Sequence, residues 1–294
     1  MYRCLITTSA ISEAGSVKSN EDIYCLKSAP GSELAAIFDG VTSLSDVSAR
    51  TPGFKAARIA ASVVSQASFA TAPISLLTQV NQSIRKKSTY RNGVDFKEPA
   101  TLWGTVGSVV SVDTERSQIR YAFIGDCPIV IGLRNGTWSV LTSHHTARFR
   151  KATLEKMAEA REMNIFDARE QAAYAIVQMA NNRRKANALD GSGHGILNGM
   201  DSALKYIETG ELTDLSSVEF VALLSDGILP PPTSASAGTN FSEVAHTLRK
   251  GGLLGLLQHT RTIEQSDPHL TRPRTKMHDD ATGILLRFEV VSLS

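Results

Sequence analysis

Three times along the chain an apolar run meets an aspartate. Residues 33–40 read E-L-A-A-I-F-D-G and stop at Asp39-Gly40, and residues 219–227 read E-F-V-A-L-L-S-D-G and stop at Asp226-Gly227. Near the C-terminus the order is reversed: His278-Asp279-Asp280-Ala281-Thr282 leads straight into the apolar stretch 283–288. Apolar runs of this length between turn residues predict buried strands. Each acid is therefore expected at a strand end, where a carboxylate can leave the core. Gly40 lets the backbone turn sharply and brings its carbonyl close to whatever Asp39 binds. One strand-Asp-Gly is an ordinary turn. Three such acids can converge, and crowded carboxylates repel unless cations neutralise them, which points to a divalent metal site.

The elements that must position these acids are legible in outline. Short strands are predicted over 2–7, 23–26 and 34–38, with a polar loop over 12–22. A helix follows from Pro52, with Phe54, Ala57, Ala61 and Val64 on one stripe, and another from Pro73, with Leu76, Leu77, Val80 and Ile84 at helical spacing. Strands return over 101–112, 118–124, 129–133 and 138–141, separated by turns at 113–117, 125–128 and Asn135-Gly136. Asn-Gly is a strong hairpin signal, so the stretch is expected to be one antiparallel meander. Two helices come next, the second opened by a capping box of Asp167 and Glu170 before the stripe Ala173, Ile176, Val177, Ala180. Residues 181–199 read as a mobile loop, 201–207 as a short helix, and 241–248 and 253–263 as two further helices. Strands cluster with strands and helices with helices, which argues against a parallel sheet. The expected fold class is α+β, a four-layer α-β-β-α sandwich of two antiparallel sheets flanked by helices. No linker or composition shift divides the chain, so residues 1–294 are expected to form a single domain.

Composition narrows the function. The 294 residues are 42% hydrophobic and 20% charged, which suits a globular protein with a sizeable core. A formal net charge of +2 is too small to suggest nucleic acid or membrane as partners. Cys4, Cys25 and Cys127 are far apart and lack metal-binding spacing, so reduced thiols in a cytoplasmic protein are expected.

Five acidic stations now stand in order: Asn20-Glu21-Asp22, Phe38-Asp39-Gly40, Gly125-Asp126-Cys127, Ser225-Asp226-Gly227 and Asp279-Asp280-Ala281-Thr282. Together they resemble the motifs of the metal-dependent protein phosphatases, the type 2C serine/threonine phosphatase family, in a compact bacterial-like form. The resemblance spans residues 15–288. It implies two Mn²⁺ or Mg²⁺ ions, with a third, weaker one in some members. Asp39 would bridge the two ions and the Gly40 carbonyl would ligate the second. Asp226 and Asp279 would complete the first ion's shell, and Asp22 would orient the attacking water. All-oxygen shells suit Mg²⁺ and Mn²⁺. Two such ions can neutralise a phosphate and activate water, which the slow hydrolysis of phosphate monoesters requires.

The chain departs from the family at several positions. Val41 stands where many members carry a histidine proposed as general acid. Lys18 takes the place of the phosphate-binding arginine, one residue closer to Asp22 than usual, and a lysine holds phosphate as a point charge without a bidentate fork. Pro230 replaces an acid that helps bind the third ion, so Asp126 either joins the metal set without it or only caps its turn. His144 and His145 are expected to be surface or capping residues, Cys127 a packing residue, and Asp280 solvated or capping. Arg183-Arg184-Lys185 is expected to complement a helix dipole, with phosphoprotein contact as the alternative.

The expected activity is removal of phosphate from phosphoserine or phosphothreonine in proteins, with a phosphoprotein substrate and a cognate Ser/Thr kinase as partners. The rival reading is a catalytically weak pseudophosphatase that binds phosphoproteins as a regulatory module, favoured by Lys18 and Val41. A two-metal nuclease is disfavoured by the near-neutral charge.

Overall fold

In the computed structural model, residues 2–16, 19–41, 51–92, 96–143 and 146–292 are described. Lys18, His144 and His145, for which roles were expected above, lie outside them. The strands are β1 (Tyr2–Glu13), β2 (Ile23–Ala29), β3 (Ser32–Gly40), β4 (Thr105–Asp113), β5 (Gln118–Ile124), β6 (Ile129–Leu133), β7 (Trp138–Val140), β8 (Glu208–Leu212), β9 (Val218–Leu224) and β10 (Ala281–Ser292). The helices are α1 (Pro52–Gln66), α2 (Pro73–Asn92), α3 (Ala147–Glu162), α4 (Ala168–Arg184) and α5 (Phe241–Gln265).

The strands form two five-stranded sheets, ordered β1-β10-β9-β6-β7 and β2-β3-β4-β5-β8, with every pairing antiparallel. Strand periodicity places the core. Along β3, Ala35 and Ile37 point between the sheets, where they meet Ile129, Val221, Leu223 and Ile284 of the other sheet. Leu34, Ala36 and Phe38 point the other way, onto Ala56, Ala60 and Val64 of α1 and Leu76 and Val80 of α2. Phe220, Ala222 and Leu224 of β9 likewise face α5 through Val244, Leu248 and Leu256. Both faces of the central strands are buried, so these strands read as continuous apolar runs. The fold is α+β, a four-layer α-β-β-α sandwich.

Five expectations need correction. The predicted meander is split between the sheets, because β4 and β5 pair in one and β6 and β7 in the other. The chain crosses at 125–128, where Gly125 takes φ +87° and any Cβ would stand 2.3 Å from a Val106 methyl. The stripe Ile176 and Val177 on α4 is exposed. Its inward side is Ala175, packed with Leu154 and Met157 of α3, beside polar groups that find partners: Gln171 donates to the Ile165 carbonyl, and the half-buried Asn182 donates to the Phe149 carbonyl and Thr153 Oγ1. The two helices expected over 241–263 are one element, α5, broken at Gly252 with φ 62° and ψ −157°. Strand β8 was missed, since its sequence E-T-G-E-L is polar and it lies at a sheet edge.

The fifth correction matters most for the site. Residues 186–199 are no mobile loop: Asn187, His194, Ile196, Leu197 and Asn198 are buried. Asn187 holds the segment shut, donating to the Ile196 carbonyl and Asn198 Oδ1 and accepting from the Ile196 amide. It does so at φ +59°, a left-handed conformation that asparagine tolerates better than alanine. Arg148 of α3 closes the other end on the carbonyls of Gly191 and Gly193. Asn187→Ala should cost about 2 kcal/mol or more, because it leaves buried backbone groups unpaired. Hydrogen exchange checks this. Slow amide exchange over residues 194–198 should become fast in the variant, and unchanged protection would show that the clamp is not Asn187.

Candidate metal centre

Asp39, Asp126, Asp226 and Asp279 line one cleft of about 260 Å³ between the ends of the two sheets. Each is half-buried, with its backbone in the scaffold and its side chain toward the opening. Asp39 ends β3, Asp226 follows β9, Asp279 precedes β10, and Asp126 sits in the crossing turn between β5 and β6. Close backbone approach fixes the strand ends. A Cβ on Gly40 would stand 2.6 Å from the Gly53 carbonyl carbon at the start of α1, and one on Gly227 would stand 2.1 Å from the Asp280 carbonyl oxygen.

Asp22 is not among the residues lining this cleft; it is buried behind it, near enough to Asp39 for their charges to interact. A closed hydrogen-bonded ring holds it there. The Thr282 amide donates to Ser225 Oγ (2.9 Å), and Ser225 Oγ donates to Asp22 Oδ2 (2.6 Å). The Asp22 amide donates to Asn20 Oδ1 (2.9 Å), Asn20 Nδ2 donates to Ser12 Oγ (3.0 Å), and Ser12 and Thr282 share a hydroxyl–hydroxyl bond (2.9 Å). The motif residues around the acids thus tie three chain segments together.

Asp280 is neither solvated nor a cap on its own turn. It is buried, and its two oxygens accept the amides of Gly15 and Glu21, both at 2.8 Å. It anchors the loop that carries Asp22 to the start of β10. Glu21 continues the chain of contacts, accepting from the Thr51 hydroxyl, which caps α1, and taking the Gly40 amide on its carbonyl (3.1 Å).

Electrostatics follow from this crowding. Burial, and then the charges of Asp22 and Asp226, push the Asp39 carboxyl well above the ordinary carboxylate range. Asp22 is raised well above it too, by burial first and against the Ser225 hydrogen bond. Asp226 rises to about 6 through burial and Asp279. Burial raises Asp126, although Arg150 and a hydrogen bond from Thr146 oppose the shift. The Cys127 thiol is fully packed into the core and pushed well above its usual value by burial and then by Asp39 and Asp126, so it is inert at neutral pH.

Two cations that the sequence did not single out sit on these acids. Lys276 Nζ donates to Asp279 Oδ1 at 2.5 Å, and an Arg150 Nη1 of α3 stands 3.8 Å from Asp226 Oδ2. Arg183, from the basic run at the end of α4, also lines the cleft, and burial lowers its pKa to about 10. A faint signal existed for Lys276, which closes an alternating run of Arg272, Arg274 and Lys276 just before Asp279. Nothing in the sequence marked Arg150, whose partner is 76 residues away by number.

The donor chemistry suits a hard divalent cation: the cleft brings the carboxylates of Asp39, Asp126, Asp226 and Asp279 together, beside the cations Arg150, Arg183, Arg274 and Lys276. Among the described residues, no three acid, histidine or cysteine side chains already stand as a ligand cluster.

No family model matches the chain, and no curated protein matches it by sequence. Its fold does match solved structures. Serine/threonine phosphatase Stp1 from Staphylococcus aureus is 14% identical, with 97% of this chain and 96% of that one covered at a TM-score of 0.56. The catalytic domain of the serine/threonine protein phosphatase PstP, solved with two manganese ions, is 13% identical over 97% of this chain and 99% of its own at 0.55. RsbX, solved in complex with magnesium, is 13% identical over 98% of this chain and 100% of its own at 0.56. The chain therefore has the fold of the type 2C serine/threonine phosphatases.

His194 forms one wall of the cleft. It is tilted against Phe149 with ring centroids 4.4 Å apart, and its Nδ1 finds no hydrogen-bond partner among the described residues. Burial, then Arg183 and Arg148, lower its pKa from 6.5 to about 4. Between these values the unfolded chain binds a proton that the folded chain refuses, so His194 makes stability fall as pH drops from about 6.5 to about 4. Thermal unfolding should therefore lose less stability over that window in His194→Gln than in the wild type. Equal slopes would show that His194 is solvated.

Proposed function

We propose that the chain, acting as one domain over residues 1–294, is a metal-dependent phosphomonoester hydrolase that removes phosphate from phosphoserine or phosphothreonine in proteins. The observation that carries this reading is four carboxylates facing one cleft whose walls also carry Arg150, Arg183 and Lys276. Asp39, the Gly40 carbonyl, Asp226 and Asp279 would hold two Mn²⁺ or Mg²⁺ ions, with Asp126 on a third, weaker one. Bound ions of this kind supply charge neutralisation and an activated water.

The chain's own groups supply the rest. Asp22, held through Ser225, carries a carboxylate behind Asp39 that can accept a proton from the centre, since its own affinity for protons is raised. The guanidinium groups of Arg150 and Arg183 present donors to phosphate oxygens from the α3–α4 side of the cleft, where a planar fork can hold two oxygens at once. Lys18 is assigned the phosphate role that its place before Asp22 suggests. The cleft is open at the surface, as a phosphorylated side chain on another protein requires. The partners are a phosphoprotein and, in the same signalling system, a Ser/Thr kinase. The free thiols of Cys4, Cys25 and Cys127 accord with a reducing cytoplasm. Among the described residues no helix is long and apolar enough to cross a membrane.

A second reading, a phosphoprotein-binding module with weak catalysis, is favoured by the cations seated on Asp226 and Asp279. Hydrolysis of p-nitrophenyl phosphate and of a phosphothreonine peptide with Mn²⁺ separates the two. The wild type should turn over and stop with EDTA, and Asp39→Asn should lose about 100-fold or more in kcat/KM. Retained peptide binding with no turnover by the wild type would select the module instead.

A further inference from the structure

Asp279 is already engaged on one oxygen. Its Oδ1 accepts Lys276 Nζ at 2.5 Å and the Asp280 amide at 2.9 Å. The Lys276 side chain is 17% exposed, so the ammonium sits within the cleft wall and away from bulk water. An ammonium so placed neutralises the very acids that a divalent ion would need. Arg150 does the same for Asp226 at longer range, 3.8 Å.

We propose that Lys276 is a built-in counter-ion of the acidic centre that exchanges with the divalent ion at Asp279 and, once displaced, takes the substrate phosphate. This rests on the reading of the cleft as a metal centre. Like charges repel, so an ammonium and a dication on one carboxylate weaken each other, and the singly charged, tethered group gives way. A lysine suits this task. Its charge rides on a flexible four-carbon stem with three donors, so it can leave one anion for another without rebuilding the backbone. Both anions lie in reach, because Lys276 lines the same cleft as the four carboxylates. The exchange couples loading to capture: the protein presents a free ammonium to phosphate after the ion has arrived, and keeps its acids neutralised before.

The test is isothermal titration of the full chain with Mn²⁺, followed by titration of the Mn²⁺-loaded protein with inorganic phosphate. Wild type, Lys276→Met and Lys276→Arg are compared. Removing an opposite charge in contact with a carboxylate changes its cation affinity by about tenfold or more. Lys276→Met should bind Mn²⁺ about tenfold tighter and phosphate about tenfold weaker, while Lys276→Arg should stay near the wild type on both counts. Equal melting temperatures at saturating Mn²⁺ show that the variants are folded. If the wild type fails to bind Mn²⁺ and Lys276→Met binds it, the ammonium excludes the ion outright, and the exchange is overturned. If neither binds, the metal centre itself is wrong and the proposal falls with it. Unchanged Mn²⁺ affinity in Lys276→Met beside normal wild-type binding overturns the exchange alone, and unchanged phosphate affinity overturns the transfer to substrate.

Discussion

Carboxylates gathered at strand ends repel one another, and the molecule is built around containing that repulsion. Asp39, Asp126, Asp226 and Asp279 share one cleft, and Asp22 lies directly behind. Left alone, such a cluster would open or take up protons, and the proton affinities of Asp22, Asp39, Asp126 and Asp226 are raised by burial first and by neighbouring acids second. Two things resist it. Chain cations, Lys276 above all, offset the charge, and a packed, hydrogen-bonded frame holds each acid in place.

That frame is made by the sandwich and by small polar ties. Burying both faces of the central strands fixes where β3, β9 and β10 end, and so where their acids emerge. The ring through Thr282, Ser225, Asp22, Asn20 and Ser12 joins the loop before β2 to the ends of β9 and β10. Asp280 adds a second tie from the opposite side by taking the amides of Gly15 and Glu21. Apart from Asp22, none of these groups needs to reach the reacting centre. They set the spacing on which chemistry at the cleft depends, because carboxylates displaced by an ångström no longer share a ligand.

What the sequence made legible was local. An apolar run closed by Asp-Gly announces a strand with an acid at its tip, and the residues that pack on α2, Leu76, Leu77, Val80 and Ile84, declare their face by spacing. What stayed hidden depends on partners far along the chain. The split of the meander turns on one crossing at Gly125, which looks like any hairpin turn. Residues 186–199 look loose because they are rich in glycine and polar groups, and their order comes from Asn187 and Arg148 bonding across the segment. The inward face of α4 hides in the same way, because it is marked by the small Ala175 and by Gln171, whose burial is possible only with the Ile165 carbonyl it finds. The pairing of Arg150 with Asp226 and the tie made by Asp280 are of the same kind.

Diffraction from crystals grown with Mn²⁺, recorded on both sides of the manganese absorption edge, is the most direct test of a metal centre held by these acids. Anomalous density bounded by Asp39, Asp226 and Asp279, with Lys276 moved off Asp279, is the expected result. A cleft without an anomalous peak at saturating Mn²⁺, with Lys276 still on Asp279, would contradict it.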